Sequence, residues 1–236
     1  DQFAGKTVVI DIGGWGRPEH VAAGKAAGVQ LWQVVGYGLD HLSLDEVMAS
    51  GIPLARIPGS STAIALAEHA MYLLLAVVKQ ANLARPALME QHFFDGDALE
   101  LDGRTIAIIG LGASGRELAK RARSFGMRVL GVDVAAVSMA DQAAIGVERC
   151  EGIEQLHVVL AEADVVSLHL PLNSATRHVL NAGAFSGAEG RGDRGECGAR
   201  AAHRRGCARR CPDERPSRWR RTRCLRGGAP SLDESA

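Results

Sequence analysis

Apolar positions in the first 187 residues fall into short runs and helical stripes that alternate. Residues 7–12 form a β-branched apolar run ending at Gly13 and Gly14, which predicts a buried strand and a turn. Residues 18–27 suit a short helix closed by Gly28. Residues 30–35 predict a second strand, which runs into Gly36, Tyr37 and Gly38. Residues 44–49 predict a short helix stopped by Gly51, and residues 53–57 a third strand. Strands that alternate with helices in this way predict a parallel α/β sheet.

Residues 62–83 predict one long helix. Its apolar side chains (Ala65, Leu66, Ala70, Met71, Leu73, Leu74, Leu75, Val77 and Val78) run nearly all round it. Such a helix is expected to be buried on most faces, as at a domain or subunit interface. Residues 85–101 have weak periodicity and contain Pro86 and Gly96, so they read as a connection between two domains. No apolar run is long enough to span a bilayer; residues 63–78, the longest candidate, include Glu68 and His69.

From Arg104 the alternation resumes in a sharper form. Residues 104–109 predict a strand that runs directly into Gly110-Leu111-Gly112-Ala113-Ser114-Gly115. Residues 116–125 predict an amphipathic helix with Leu118, Ala119, Ala122 and Phe125 on one face, ended by Gly126. Residues 127–132 predict the next strand, which finishes at Asp133. This order is the fingerprint of a dinucleotide site. Gly110 permits the tight turn off the strand, Gly112 admits a pyrophosphate to the backbone, and Gly115 lets helix and strand pack closely. The helix N-terminus offers free N–H groups to the phosphates. Asp133 can accept both ribose hydroxyls and would repel a 2′-phosphate, so NAD is expected rather than NADP. Residues 153–162 predict a further helix and residues 163–170 a further strand, ending at Pro171. His169 and Pro171 are therefore candidate cofactor neighbours, although a lone histidine there also fits a satisfied core residue.

Charge divides the chain. Residues 1–187 carry 14 Lys and Arg against 20 Asp and Glu, whereas residues 188–230 carry 13 Arg against 5 acids. Four of the five cysteines lie in that basic stretch, and Leu225 is its only Leu, Ile, Val or Phe. Such a composition builds no core and predicts disorder. Cys197, Cys207, Cys211 and Cys224 with His203 lack the paired spacing of a zinc site, so no metal is expected. The arginines could attract nucleic acid electrostatically, but no recognisable domain accompanies them.

Together these stretches resemble the D-isomer-specific 2-hydroxyacid dehydrogenases. Gly36-Tyr37-Gly38 with Leu39-Asp40-His41 looks like that family's substrate loop. Gly51-Ile52-Pro53, Ile57-Pro58-Gly59 and Ala67-Glu68-His69-Ala70 look like its next markers. Residues 110–115 look like its cofactor loop. Residues 164–172, then Thr176-Arg177-His178 and Leu180-Asn181, look like its next strand and loop. The likeness covers about residues 30–185. It implies a Rossmann-type doubly wound NAD domain (85–187), a partial flavodoxin-like substrate domain with the long helix (1–84), and an aberrant tail (188–236). It also implies hydride transfer between NAD and a 2-hydroxy or 2-keto acid, in a homodimer. NAD would lie on Gly110, Leu111, Gly112, Ala113, Ser114, Gly115, Asp133, His169, Pro171 and Thr176. The substrate carboxylate would lie on Val35, Gly36, Tyr37 and Gly38. The chain is expected to be cytoplasmic, to bind no membrane, and to lack its true start.

The family's catalytic Arg, Glu and His find no counterpart after Phe185, so no catalytic residue is assigned and little turnover is expected. Residues 193–200, back-translated as GAT CGT GGT GAA TGT GGC GCG CGG and read one nucleotide on, give Ile-Val-Val-Asn-Val-Ala-Arg-Gly. Residues 222–230 treated likewise give Leu-Asp-Val-Phe-Ala-Glu-Glu-Pro. Both resemble the missing family motifs, in order, which points to a frameshift near Ser186 or Gly187. The alternative reading is a non-catalytic NAD-binding sensor or interaction protein on the same fold.

Overall fold

The computed structural model describes residues 2–13, 16–93, 96, 98–181 and 184. The expectations placed on the segment from 188 onward lie outside these residues.

Two parallel sheets follow one another along the chain. The first has the order β1-β2-β3, with β1 at Val8–Asp11, β2 at Leu31–Val34 and β3 at Leu54–Arg56. Helices α1 (Pro18–Ala26) and α2 (Leu44–Ser50) connect these strands. Gly51, at φ +74, closes α2 in the left-handed region where glycine is favoured. Trp32, Val34, Val21 and Val47 form the centre of this core, with Phe3 beside the Trp32 ring. Residues 7–12 were expected to be buried, but Val8 is 47% and Ile10 67% exposed. Their side chains leave the face opposite Trp32 and Val34, and among the described residues that face has no covering layer. An apolar run without alternation suits a strand buried on both faces; here only one face is covered.

The second sheet has the order β6-β5-β4-β7: β4 is Thr105–Ile109, β5 Arg128–Val132, β6 Arg149–Glu151 and β7 Val165–Leu168. Helix α5 (Ala113–Ser124) follows β4 and helix α7 (Leu156–Glu162) precedes β7. Every residue of β4 is buried. Ile106 and Ile108 pack with Leu118, Ala119 and Ala122 of α5, while Ala107 and Ile109 pack with Val159 and Leu160 of α7. Both faces are therefore covered, as a doubly wound sheet requires. Helix α6 (Met139–Ile145) and β6 went unread in the sequence. Their signals are Ser138, whose hydroxyl accepts from the Asp141 N–H, and Gly146 at φ +74. Phe125, expected on the buried face of α5, caps its end instead and is 45% exposed.

The long helix is two helices. α3 (Ala63–Val78) ends where Gln80 takes φ +50, and α4 (Ala81–Met89) departs at 66°. The Lys79 ammonium donates to the Leu99 carbonyl at 2.8 Å, which holds the corner against the following segment. Residues 85–89, read as connection, complete α4 despite Pro86. Only one stripe of α3 is buried (Ala63, Ala67, Met71 and Val78), and Ala67, Met71 and Val78 pack into the α5 side of the second sheet. Ile64, Leu66 and Tyr72 are exposed, so burial on most faces is not met within the described residues. No single helix among them is long and apolar enough to cross a membrane.

Candidate functional site

The glycine loop sits at the topological switch point, between β4 and the two strands that flank it. Gly110 has φ +97, and a Cβ there would lie 2.6 Å from the His169 carbonyl oxygen. A Cβ on Gly115 would lie 2.0 Å from the Gly110 carbonyl oxygen. These two glycines are thus fixed by sterics: one permits the turn against β7, the other permits α5 to close on the turn. Gly112, the N-cap of α5, differs, because a Cβ there meets nothing within 4 Å. The open space lies over the free N–H groups of the first helical turn, where a pyrophosphate fits.

Asp133 follows β5, and its backbone N–H donates to the Glu151 carbonyl. Its carboxylate accepts from the Leu111 N–H at 2.6 Å and the Ala135 N–H at 2.9 Å. One oxygen therefore holds the glycine loop and the other holds the turn after β5. Each oxygen keeps a lone pair for a ligand hydroxyl. The structure brings Asp133 to the loop, as the spacing predicts.

His169 lies just past β7, with Nδ1 3.0 Å from the Ser114 hydroxyl and Nε2 3.0 Å from the Ser167 hydroxyl. Burial pushes this imidazole below its ordinary value, so it is neutral near pH 7. In neutral imidazole one nitrogen donates and the other accepts. If Nδ1 carries the proton, the Ser114 O–H is free to donate to an anion above the helix. His169 is thus both a satisfied histidine and a neighbour of the loop. Thr176 behaves differently. Its hydroxyl turns back to the Pro171 carbonyl at 2.5 Å, and the Asn173 side chain accepts from the Ala175 and Thr176 N–H groups. Pro171 and Thr176 shape the loop after β7, and neither hydrogen-bonds to residues 110–115.

Three further residues carried no readable signal. The Arg116 guanidinium donates to the Leu111 carbonyl at 3.0 Å and stands 3.6 Å from Asp141, which clamps the loop from its helical side. The Cys150 thiol is pushed up by burial, with Asp133 and Glu151 adding to the shift. Asp11 is wholly buried; it accepts from the Trp32 indole N–H at 3.2 Å and the Gly13 N–H at 2.7 Å, with His41 at 3.4 Å. A buried carboxylate needs such partners, and they appear only when β1, β2 and the 38–41 turn come together.

Val35, Gly36, Tyr37 and Gly38 leave the carboxyl end of β2 as an exposed turn. The Val35 N–H donates to Asp11, and the Gly36 carbonyl accepts from Ile57. The Arg56 guanidinium donates to the Tyr37 carbonyl at 3.0 Å and lies 4.3 Å from the Tyr37 ring centre. A cavity of about 310 Å³ separates Ser60 and the start of α3 (Ala63, Ile64) from the first turns of α5 (Ala113, Arg116, Glu117, Lys120), with Ile145 also on its wall. Among the described residues, no cluster of three His, Cys, Asp or Glu could hold a metal.

Residues 71–190 match the family model for the D-isomer specific 2-hydroxyacid dehydrogenase NAD binding domain. Hydroxypyruvate reductase of Thermotoga maritima is 36% identical over 149 residues, 62% of this chain and 45% of that protein. D-3-phosphoglycerate dehydrogenase of Methanocaldococcus jannaschii is 32% identical over 160 residues, 66% of this chain and 29% of that protein. Among solved structures, D-lactate dehydrogenase from Aquifex aeolicus complexed with NAD and lactic acid superposes with a TM-score of 0.66 at 27% identity. That match covers 79% of this chain and 54% of the other. The chain spans less than half the length of these two curated relatives.

Proposed function

Because the chain belongs to the D-isomer-specific 2-hydroxyacid dehydrogenase family, whose NAD-binding domain it carries, we propose that its restored frame serves hydride transfer between NAD and a 2-hydroxy or 2-keto acid, and that this chain as written binds NAD with little turnover. The open cradle over Gly112 at the α5 N-terminus, flanked by the Asp133 carboxylate, carries this reading.

Gly110, Leu111, Gly112, Ala113, Ser114 and Gly115 hold the pyrophosphate through backbone N–H groups and the Ser114 hydroxyl. Asp133 accepts from the adenosine ribose. His169 sets the Ser114 hydroxyl, while Pro171 and Thr176 shape the rim beside it. Gly36, Tyr37 and Gly38 offer backbone N–H groups to the substrate carboxylate, and Val35, whose own N–H is held by the Asp11 carbonyl, fixes the start of that turn. When bound, NAD supplies the hydride acceptor or donor for C2 of the acid. No residue of this chain is assigned to exchange the hydroxyl proton. We assign residues 1–84 to a substrate domain and 85–187 to the NAD domain, with 188–230 read out of the family's frame. The exposed apolar side chains of α3 and α4 (Ile64, Leu66, Tyr72, Leu83, Leu88 and Met89) suit a homodimer contact.

Calorimetric titration with NAD and NADP tests the cofactor reading. One NAD site, at least about ten-fold tighter than NADP, is expected from the carboxylate at 133. Absence of NAD binding, or equal binding of NADP, would refute it. The same titration of Gly112→Val should lose NAD, because the new side chain fills the cradle. For the activity, absorbance of NADH at 340 nm is followed with D-2-hydroxy acids in the chain re-read in the restored frame. Silence from that chain would sink the oxidoreductase reading.

A further inference from the structure

The guanidinium of Arg56 is held in place and left without a carboxylate. It closes β3 at the carboxyl edge of the first sheet. In parallel α/β sheets ligands bind at that edge. One N–H donates to the Tyr37 carbonyl at 3.0 Å, and the group lies 4.3 Å above the Tyr37 ring. The ring also lies against Gly59, where a Cβ would meet Cδ2 and Cε2 at 3.3 Å. The Ile57 N–H to Gly36 carbonyl bond, at 3.1 Å, ties the two loops together beside this pair. Arg56 is exposed, and among the described residues no carboxylate pairs with it. A strut alone would need neither the planar group nor its remaining free N–H donors. A guanidinium ordered by an aromatic face is a preorganised receptor for a carboxylate, phosphate or sulfonate.

We propose that Arg56, stacked on Tyr37, binds a second anionic group on the substrate, remote from C2. The acid taken by this chain is then a short 2-hydroxy acid with an anionic far end. The inference rests on the reading that residues 35–38 hold the C1 carboxylate. That turn follows β2, and Arg56 ends the adjacent β3, so one short molecule can meet both. The free N–H edge of the guanidinium gives a phosphate, a sulfonate and a carboxylate the same kind of contact.

The test uses the whole chain with saturating NAD. Calorimetric titration gives Kd for D-lactate, D-malate, 3-phospho-D-glycerate and D-sulfolactate, in wild type and in Arg56→Gln and Arg56→Lys. Wild type should bind at least one of the three doubly anionic acids about ten-fold or more tighter than D-lactate, and which one names the far group. Arg56→Gln should bring that acid to the lactate level, and Arg56→Lys should restore only part of the gap. The preference should also shrink at high salt. Equal binding of all four acids by wild type overturns the subsite and leaves the carboxylate turn standing. So does a loss in Arg56→Gln that is equal for every acid, which marks a strut. If no acid binds, D-lactate included, the reading of residues 35–38 fails and takes the subsite with it. Arg56 is at the surface, and unchanged circular dichroism of both variants confirms that they fold.

Discussion

The two sheets are built from similar strands, yet only one of them is closed. β4 buries all five of its residues, because α5 lies on one face and α7 on the other. β1 buries Asp11 and leaves Val8 and Ile10 largely in solvent. Hydrophobic burial scales with area removed from water, so the second sheet holds the larger share of the folding free energy. The difference teaches that a β-branched run specifies a strand, while its stability depends on what covers each face. It also separates the tasks. The covered sheet supplies a rigid floor for a dinucleotide, and the open one presents turns with adjustable polar groups.

Truncating one isoleucine in each sheet tests this directly. Ile108→Ala leaves a cavity between β4 and α5 and should cost about 3 kcal/mol. Ile10→Ala removes an exposed side chain and should stay within about 0.5 kcal/mol. Urea unfolding followed by circular dichroism measures both, and amide exchange should be slower in β4 than in β1. Equal losses from the two substitutions would show that the open face of β1 is covered in solution.

What was legible in the sequence follows the same division. The 104–133 stretch could be read nearly residue by residue, because glycine sterics, helix dipole and strand-end acid are local rules. Gly110, Gly115 and Asp133 stand where spacing put them. What stayed hidden needs contacts between distant segments. The corner after Val78 has Gln80 at φ +50 and bonds that join Leu99 to Val78 and Lys79, and no helical pattern within residues 62–83 announces them. The Asp11, Trp32 and His41 cluster spans three segments. Phe125 looked like a core residue by periodicity, but the helix ended one residue too soon to bury it. Arg56 gave no signal at all, since its aromatic partner lies in the turn after a different strand.

Within the covered sheet, Asp133 should matter for the ligand more than for the fold. Asp133→Asn keeps an oxygen for either the Leu111 or the Ala135 N–H but loses the charge. Hydrogen bonds to a charged acceptor exceed neutral ones by about 1 to 1.5 kcal/mol. NAD affinity should therefore fall about ten-fold, with NADP less affected. A variant that binds NAD as wild type does would remove Asp133 from the site.

His169 gives the covered sheet its own pH response. Folding lowers the proton affinity of this imidazole through burial. As pH falls through the ordinary value of 6.5, the unfolded chain takes up a proton that the folded chain refuses. The contribution is fully present above that value and is lost as pH falls toward the lowered folded value. The urea midpoint of wild type should thus drop between about pH 7 and pH 5, and His169→Gln should drop less. Identical slopes would mean that the link from Ser114 to Ser167 carries no proton linkage.

The smallest effect is expected at the rim of the second sheet, where charges are most numerous. Arg128 makes two bonds to Glu148, at 2.7 and 2.8 Å, and also reaches Glu162 at 3.1 Å. The Arg128 guanidinium holds the Glu148 carboxyl below its usual range. Both side chains are more than a third exposed, so solvent screens the pair. A double-mutant cycle with Arg128→Gln and Glu148→Gln should give a coupling below about 1 kcal/mol, shrinking at high salt. A coupling as large as the Ile108→Ala loss would assign the advantage of this sheet to its charged rim. A small one leaves covered faces as the cause, because the ion pairs then decorate a sheet that packing has already fixed.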